Sequence, residues 1–414
     1  MQSRSVFLKR SGIPLAVLLI IFLFYDSAML HTLKGFKGNY SGFVRFKERR
    51  LERLPFLENR KDIKKGLIIK KQGYDGQFYY NMTYDPFLRH LKRRNDYREV
   101  VDSPRYRYGR IGFSWLTMLF SFSRPELFPK TMVFLILAFH LVGAFFFLKI
   151  ILFLQRSPWW SLLYILVPSF ITSLNLALPE PVAAALLLGG MYFYLREKFS
   201  FAFLFFAASV LVRETGIILI AVIALYEIFR KRRLKIAILM AASIVPYYLW
   251  RCYMTWRLFE EWGWSTLFFS PGDFAVPFEG IAMLYGARWY SGPAWNGLLF
   301  FPVLIVLNLI FAIILTVRRK DISSIALLSY SFIYICLSYG KIWVQIKNIE
   351  RTAYEGFLLL MLAFLSLPKN SHPYLRYAII VYFAILFYYD ITLSAYVASF
   401  RAGLRLLAPF VSGG

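Results

Sequence analysis

Residues 199–229 read FSFAFLFFAASVLVRETGIILIAVIALYEIF, an apolar stretch with the polar turn Arg213-Glu214-Thr215-Gly216 near its middle. As a single helix it would be about 46 Å long, whereas the hydrocarbon core of a bilayer is roughly 30 Å thick. It would also hold a charged pair at the bilayer centre, where each charged residue costs roughly 2.5 to 3.5 kcal/mol. The stretch therefore predicts two short membrane helices that meet at Arg213 and Glu214.

Apolar runs of this kind recur along the whole chain of 414 residues. Hydrophobic residues make up 58% of the sequence and aromatic residues 19%, and the mean hydropathy is +0.53. Runs of about twenty apolar residues are typical of helices that cross a bilayer, and they differ from the alternating strands of a membrane β-barrel. The composition therefore predicts an all-α, polytopic membrane protein.

Short clusters of Lys and Arg give this protein a predicted orientation, because such clusters are enriched in cytoplasmic loops. If all of them are cytoplasmic, about eleven transmembrane helices alternate without conflict in a single membrane domain, residues 1–414. The helices are predicted at about 12–30, 130–154, 159–178 and 182–195, then as two short helices within 199–229, and at about 236–256, 297–317, 322–339, 353–367 and 374–396.

This topology leaves three polar segments on the extracytoplasmic side, namely a large first loop at 31–110 and shorter segments at 257–295 and 340–351. Residues 111–122 are apolar but too short to cross a bilayer alone, so they are predicted to form an interfacial or half-inserted helix. The predicted localisation is a bacterial plasma membrane, with the polar surface outside.

The charge of the chain is strongly positive. Lys and Arg outnumber Asp and Glu by 49 to 23, which gives a formal net charge of +26. Such an excess in a membrane protein indicates anionic membrane lipids or another anionic partner, and not nucleic acid, because it is not gathered on a soluble domain. Residues 45–71 of the first loop are especially basic, and both an anionic acceptor and anionic lipid explain them.

The first loop also contains a cluster of carboxylates, arginines and tyrosines between residues 73 and 110. Asp75 lies in the stretch Tyr74-Asp75-Gly76-Gln77, where Gly76 permits a tight turn and aromatic neighbours shield the carboxylate from water. Such a carboxylate can act as a general base or as a metal ligand. Alternatively, Asp75 caps a helix that begins near Gln77.

A second group follows at Asp102-Ser103-Pro104, which is typical of a helix start with proline at the first position. Arg105, Arg107 and Arg110 then alternate with tyrosines just before the predicted interfacial helix. This arrangement suits a phosphate or pyrophosphate at the membrane surface, although lipid headgroups also attract such arginines. Asp85-Pro86, between the two groups, is interpreted as a turn.

Further ionisable residues lie at the ends of apolar helices. Glu180, Arg213 and Glu214 are expected to face a cavity or one another, and Arg351 could reach an anion or simply extend to the interface. No HExxH, GxSxG or Walker motif is present, and the four histidines are scattered. No cofactor is therefore predicted, although a divalent metal held by Asp75 with Glu180 or Glu214 stays open.

These motifs resemble those of the GT-C superfamily of polytopic glycosyltransferases. The loop is similar to that of bacterial members connected with cell-surface glycopolymer formation, which carry Tyr-Asp-Gly-Gln-x-Tyr-Tyr and then Asp-x-Pro-x-Tyr-Arg-x-x-Arg. Residues 74–80 and 102–110 match both patterns. More distantly, the loop resembles the Trp-Asp-Gly-x-Trp-Tyr stretch of the glycosylphosphatidylinositol mannosyltransferases. Pro179-Glu180, Arg213-Glu214 and Arg351 correspond to less specific features of the superfamily.

The resemblance implies a membrane glycosyltransferase that moves a sugar from a polyprenyl-phosphate donor to an extracytoplasmic glycan or lipid acceptor, with inversion. Asp75 would be the general base, and arginines would stabilise the departing lipid phosphate. The residues that the resemblance assigns to substrate binding are Tyr74, Gln77, Tyr79, Arg105, Arg107, Arg110, Glu180, Arg213, Glu214 and Arg351.

Two other classes of protein remain open from the sequence. A transporter or flippase for an anionic lipid-linked glycan would use the same basic face without bond chemistry, and inverted repeats would favour it. A membrane acyltransferase would be expected to have a histidine beside an acid in a polar loop, and His90 lacks that setting.

Overall fold

The computed structural model describes residues 2–51, 54–58, 60–91, 94–258, 274–286, 293–368 and 371–411. Most of the predicted second outer segment, at 259–273 and 287–292, lies outside these residues. The described chain is mainly α-helical, as the sequence predicts, with one small sheet in which β1 (Phe46–Lys47) pairs in parallel with β2 (Ile69–Lys70).

The helices follow in chain order. In the first half they are α1 (Gln2–Gly35), α2 (Ser41–Val44), α3 (Glu48–Leu51), α4 (Lys61–Gly66), α5 (Gly76–Tyr84), α6 (Arg94–Val100), α7 (Pro104–Tyr108), α8 (Gly112–Phe120), α9 (Phe128–Phe153), α10 (Pro168–Asn175) and α11 (Glu180–Leu195). In the second half they are α12 (Phe199–Val212), α13 (Gly216–Tyr226), α14 (Leu234–Ala242), α15 (Val245–Arg257), α16 (Glu279–Gly286), α17 (Pro293–Arg319), α18 (Ile322–Ile335), α19 (Gly340–Trp343), α20 (Ile346–Thr352), α21 (Tyr354–Leu365), α22 (Pro373–Thr392) and α23 (Val397–Val411).

Long apolar helices are typical of a membrane protein, and this chain has several. By length and composition, five helical segments of the described chain are able to cross a bilayer: Gly12–Gly35, Pro125–Phe153, Leu234–Arg257, Asn296–Arg319 and Pro373–Thr392. Four shorter apolar helices accompany them, at Glu180–Leu195, Phe199–Val212, Ile322–Ile335 and Tyr354–Leu365. The count of about eleven spans stays a prediction.

The polar turn in residues 199–229 separates two helices as predicted, since α12 ends at Val212 and α13 begins at Gly216. Another predicted helix, 159–178, is wrong as a single element. The chain there forms a 3₁₀-helix, Pro158–Leu166, followed by α10 from Pro168. Pro168 has no backbone N–H with which to continue the preceding helix, so the helix breaks at this point.

The predicted helix at 236–256 corresponds to the candidate span Leu234–Arg257, within which a short turn separates α14, ending at Ala242, from α15, beginning at Val245. Pro246 lies in the first turn of α15, where the missing N–H costs least. The predicted interfacial helix is α8, nine residues long. Its first residues are buried, whereas Leu119 and Phe120 at its end are 63% and 57% exposed, and Phe122 in the turn that follows is 81% exposed.

The chain forms two compact units, each made of separate segments. Unit 1 contains residues 1–28, 144–172 and 270–414, and unit 2 contains residues 29–143 and 173–269. Unit 1 buries a group of aromatic side chains that includes Tyr164, Tyr354 and Tyr382. Unit 2 contains the predicted first outer loop, Asp75 and most of the predicted site residues.

The segment predicted as the first outer loop is a folded part of unit 2. Because α1 continues to Gly35, the loop starts several residues later than predicted. From there to Arg110 the described chain forms only short helices and the two-residue strands. Tyr80, Tyr97 and Tyr108 are completely buried within it, so the aromatic residues between the motifs build a core that holds the loop in one shape.

Candidate active site

The turn that carries Asp75 is shaped by two glycines. A Cβ on Gly76 would lie 2.5 Å from the carbonyl oxygen of Leu176 and 2.9 Å from that of Val44. A Cβ on Gly73 would lie 2.5 Å from the side-chain amide nitrogen of Gln77. Only a residue without a side chain allows the backbone this close an approach. The start of α5 is therefore fixed against two other parts of the chain.

Asp75 occupies the N-cap position of α5 but does not act as a cap. Its backbone is helical, and its side chain makes no capping hydrogen bond. Instead, its Oδ2 lies 2.9 Å from Nη1 of Arg107, and the side chain is 21% exposed. The helix begins at the predicted position, but the Asp75 carboxylate contacts an arginine and not the helix N-terminus. Of the two roles that the sequence leaves open for Asp75, general base or helix cap, the cap therefore fits less well.

Arg107 links Asp75 to a second carboxylate. Its Nε and Nη2 donate to Oδ1 and Oδ2 of Asp102 at 2.9 and 3.2 Å, and its guanidinium lies 4.4 Å from the centroid of the Phe78 ring. Burial lowers the pKa of Arg107, but the two carboxylates outweigh burial and raise this pKa above its usual range. We call Asp75, Arg107 and Asp102 the Asp–Arg–Asp cluster.

The Asp–Arg–Asp cluster is open to water mainly at its carboxylates. The side chain of Arg107 is 10% exposed, whereas that of Asp102 is 42% exposed. Arg107 is therefore fixed between two acids, one of which is well solvated. With two carboxylates and one guanidinium, the cluster carries a formal charge of −1, which favours proton acceptance at its carboxylates.

Arg110 is paired with Glu214. Nε of Arg110 donates to Oε2 of Glu214 at 2.7 Å, and its Nη2 donates to the other carboxylate oxygen. The two side chains are 9% and 7% exposed. The ring of Tyr106 lies 4.2 Å from the Arg110 guanidinium and 5.2 Å from that of Arg107, so one aromatic ring contacts both arginines.

Glu180 and Arg213 form a second buried pair. Nη1 of Arg213 donates to Oε1 of Glu180, and Ser173 donates its hydroxyl to Oε2 of the same carboxylate at 3.0 Å. The side chains of Arg213 and Glu180 are 5% and 0% exposed. The sequence predicts that these ionisable side chains face either a cavity or one another. Glu180 and Arg213 face one another.

The remaining predicted site residues of unit 2 have mainly structural contacts. Gln77 is buried and accepts a hydrogen bond from the backbone N–H of Lys47 at 3.2 Å. Tyr79 is 1% exposed and packs edge-on against Phe113. The half-buried Arg105 accepts a bond at its carbonyl oxygen from Arg251 at 3.4 Å.

Tyr74 is half-buried, and its backbone N–H donates to the carbonyl oxygen of Arg45 at 3.0 Å. Arg351 belongs to unit 1, where it lies in α20 and is 7% exposed. Asp85 has the structural role that the sequence favours, since its carboxylate accepts from the backbone N–H groups of Arg89 and His90 at 2.8 and 2.9 Å.

Three residues of the site were missing from the set of residues assigned by sequence. Asp102 could have been found from the sequence. It lies five residues before Arg107, just ahead of the helix start at Pro104, so the long side chain of Arg107 can reach back to its carboxylate. Tyr106 and Phe78 carry a weaker signal, since aromatic residues are common throughout this chain. Their contacts with the arginines depend on how α5 and α7 pack together.

No group of three His, Cys, Asp or Glu side chains among the described residues is arranged to hold a metal ion. Asp75 and Asp102 are instead bridged by Arg107, which places a positive charge where a cation would bind. The donors that would be needed for a divalent metal are therefore engaged with a guanidinium.

Unit 1 contains a separate buried carboxylate, Glu350, in α20. It accepts hydrogen bonds from the hydroxyl of Tyr389 at 2.7 Å, from the backbone N–H of Ala395 at 2.8 Å and from the hydroxyl of Thr172. Burial raises the pKa of Glu350 to about 7. Asp390 nearby is 1% exposed, and one of its carboxylate oxygens has no hydrogen-bond partner among the described residues.

Comparison of the chain with protein-family models, with curated proteins and with solved structures finds no match.

Proposed function

We propose that this protein is a membrane glycosyltransferase that transfers a sugar from a polyprenyl-phosphate donor to an acceptor hydroxyl, with Asp75 as the general base. The observation that carries the proposal is the setting of Asp75. Its carboxylate lies at the start of a helix without capping it, is partly exposed, and is fixed by Arg107. A carboxylate oriented in this way is suited to accept a proton from a bound hydroxyl.

The proposed reaction is a single displacement with inversion. The acceptor hydroxyl loses its proton to Asp75, its oxygen bonds to the anomeric carbon, and the bond from that carbon to the phosphate oxygen breaks. The polyprenyl phosphate leaves with the electron pair. A cation beside the phosphate lowers the barrier because negative charge develops there in the transition state.

Arg107 best suits this electrostatic role, because it contacts the proposed base directly. Its other partner, Asp102, is 42% exposed, so water can solvate that carboxylate when a phosphate takes its place. Arg110 and Arg213 are already bound to buried carboxylates. A phosphate would have to displace those carboxylates and leave them buried without a partner, which is costly. We therefore propose that Arg110 and Arg213 shape the site, whereas Arg107, together with Arg105, contacts the phosphate.

The first test is glycosyl transfer by the purified protein in lipid, with a panel of polyprenyl-phosphate sugars and with release of polyprenyl phosphate as the readout. We expect Asp75→Asn to reduce transfer roughly 10²- to 10⁴-fold, because the amide cannot accept the proton. Glu197→Gln is the control, since Glu197 is an exposed partner of Arg233 elsewhere in unit 2. A fully active Asp75→Asn protein would contradict the assignment of the base.

A transporter of anionic lipid-linked glycans is the second candidate, and the buried carboxylates Glu350 and Asp390 favour it. Buried acids inside membrane proteins often carry protons that drive transport. Movement of a fluorescent lipid-linked sugar across a liposome bilayer, without release of polyprenyl phosphate, would support this candidate over the transferase.

A further inference from the structure

The basic segment, which we define as residues 45–71, contains several cations that pair with no carboxylate among the described residues. The sequence has eleven Lys and Arg here against four Asp and Glu. Arg60 pairs with Asp62 at 3.1 Å and approaches Glu126 at 3.9 Å. Six other cations form no ion pair with any residue in the described part of the chain: Lys47, Arg49, Lys61, Lys64, Lys65 and Lys71.

These cations are directed to solvent. Five of the six are exposed and Lys64 is half-buried. The side chains that the segment buries are apolar, for example Leu57 and Ile63. Like charges that are close together repel one another, so a surface of this kind is stabilised when an anion binds to it.

The segment lacks the apolar face that a membrane-surface element uses. Interfacial helices place exposed Leu, Phe or Trp side chains beside their cations. Among the described residues of the basic segment, Ile69 is the only exposed large apolar side chain, at 46%. The end of α8 and the turn that follows it, where Phe122 is 81% exposed, have the character expected of a membrane contact.

The basic segment is joined directly to the turn that carries Asp75. The carbonyl oxygen of Arg45 accepts from the backbone N–H of Tyr74 at 3.0 Å. The backbone N–H of Lys47 donates to Oε1 of Gln77 at 3.2 Å. A chain molecule bound along the segment would therefore end close to the proposed base.

We propose that the basic segment binds a water-soluble anionic glycan that carries phosphate or carboxylate groups at regular intervals. The identification of this glycan as the acceptor rests on the proposed transferase function. Binding of the polyanion does not depend on that function. Several charges in a row would bind with an affinity that falls steeply with salt, because counterions are released on binding.

The test uses the full-length protein in nanodiscs of neutral lipid and a fluorescent polyuronate oligosaccharide, with neutral dextran for comparison. Replacing Lys61, Lys64 and Lys65 of α4 by Gln is expected to weaken polyuronate binding about tenfold or more at low salt, and to reduce the salt dependence by up to about three counterions. The matched control replaces Arg230, Lys231 and Arg232 by Gln, which removes three exposed charges elsewhere in unit 2.

Two outcomes would overturn the proposal. In one, the variant of α4 binds polyuronate as tightly as the unmodified protein or as the control. In the other, the unmodified protein does not bind polyuronate but binds vesicles that contain phosphatidylglycerol, and the α4 substitutions weaken that vesicle binding. Lipid would then be the partner of the segment. The binding assay needs neither a sugar donor nor turnover. If the protein binds polyuronate but transfers no sugar, only the proposed transferase function is overturned.

Discussion

Two parts of the predicted first outer loop place their positive charges in opposite surroundings. In the Asp–Arg–Asp cluster and in the Arg110–Glu214 pair, each guanidinium forms an ion pair with a carboxylate and is nearly buried. In the basic segment, six cations have no acidic partner within the described chain, and most are exposed.

This difference in pairing distinguishes cations that position neighbouring side chains from cations that can bind an anion. A buried cation that is already paired holds its neighbours in place, since breaking the pair leaves a desolvated charge. An exposed cation without a partner costs little to bring to an anion and gives it long-range attraction. We therefore expect substitutions at the paired arginines to change stability and catalysis, and substitutions in the basic segment to change affinity.

The largest effect on stability is expected at Glu180 and Arg213, the most deeply buried pair. Arg213→Met should lower the free energy of unfolding by about 3 to 5 kcal/mol, because Glu180 would keep its charge without a partner. The double variant Arg213→Met with Glu180→Met should recover much of this loss, since no isolated charge remains. Unfolding of the purified proteins in detergent measures both changes.

The exposed pair Arg60 and Asp62 is the control for this comparison, because it has similar side-chain contacts but is solvated. Asp62→Asn should leave the unfolding transition unchanged. If Arg213→Met unfolds like the unmodified protein, the buried pair does not hold the fold together as we infer.

A smaller loss of stability is expected where the Asp75 turn meets the backbone of other segments. Gly76→Ala would place a Cβ 2.5 Å from the Leu176 carbonyl oxygen, and backbone cannot move aside easily. We expect a cost of about 1 to 3 kcal/mol and weaker glycosyl transfer.

Gly66→Ala is the matched change, because nothing lies within 4 Å of its added Cβ. It should be close to neutral in both unfolding and transfer. Equal effects of the two alanines would mean that the tight approach at Gly76 has no special part in positioning Asp75.

The smallest effect is expected at Asp102, which shares Arg107 with Asp75. In Asp102→Asn, Arg107 would pair with Asp75 alone and favour its ionised form more strongly, which makes it a weaker base. The acid limb of the pH–rate profile should therefore move to lower pH, with roughly a three- to tenfold lower maximal rate.

Asp102→Glu should restore most of the rate, because a carboxylate again shares the guanidinium. A merely structural role for Asp102 would lower the rate at every pH and leave the limb where it is. Glu197→Gln, at an exposed partner of Arg233, should change neither the acid limb nor the rate.

Much of the local structure could be predicted from the sequence. The apolar runs indicate membrane helices because their length is a local property, and the polar turn after Val212 and the helix start at Pro104 follow from residue type alone. The division of the predicted helix 159–178 was missed, although Pro168 was a visible signal of it.

The arrangement of the charged groups depended on tertiary structure. Sequence reasoning selected Asp75 and the arginines by their chemistry, but Arg110 and Glu214 are 104 residues apart, and no local pattern pairs them. The same holds for the sharing of Arg107 between Asp75 and Asp102.

The sequence by itself therefore determined the helical membrane class, the polar turn between α12 and α13, and the basic excess of residues 45–71. Only the tertiary structure decided which of those charges are neutralised by a partner and which stay open to solvent. The reason is that helix formation depends on neighbouring residues, whereas ion pairing depends on which distant segments the packing brings together.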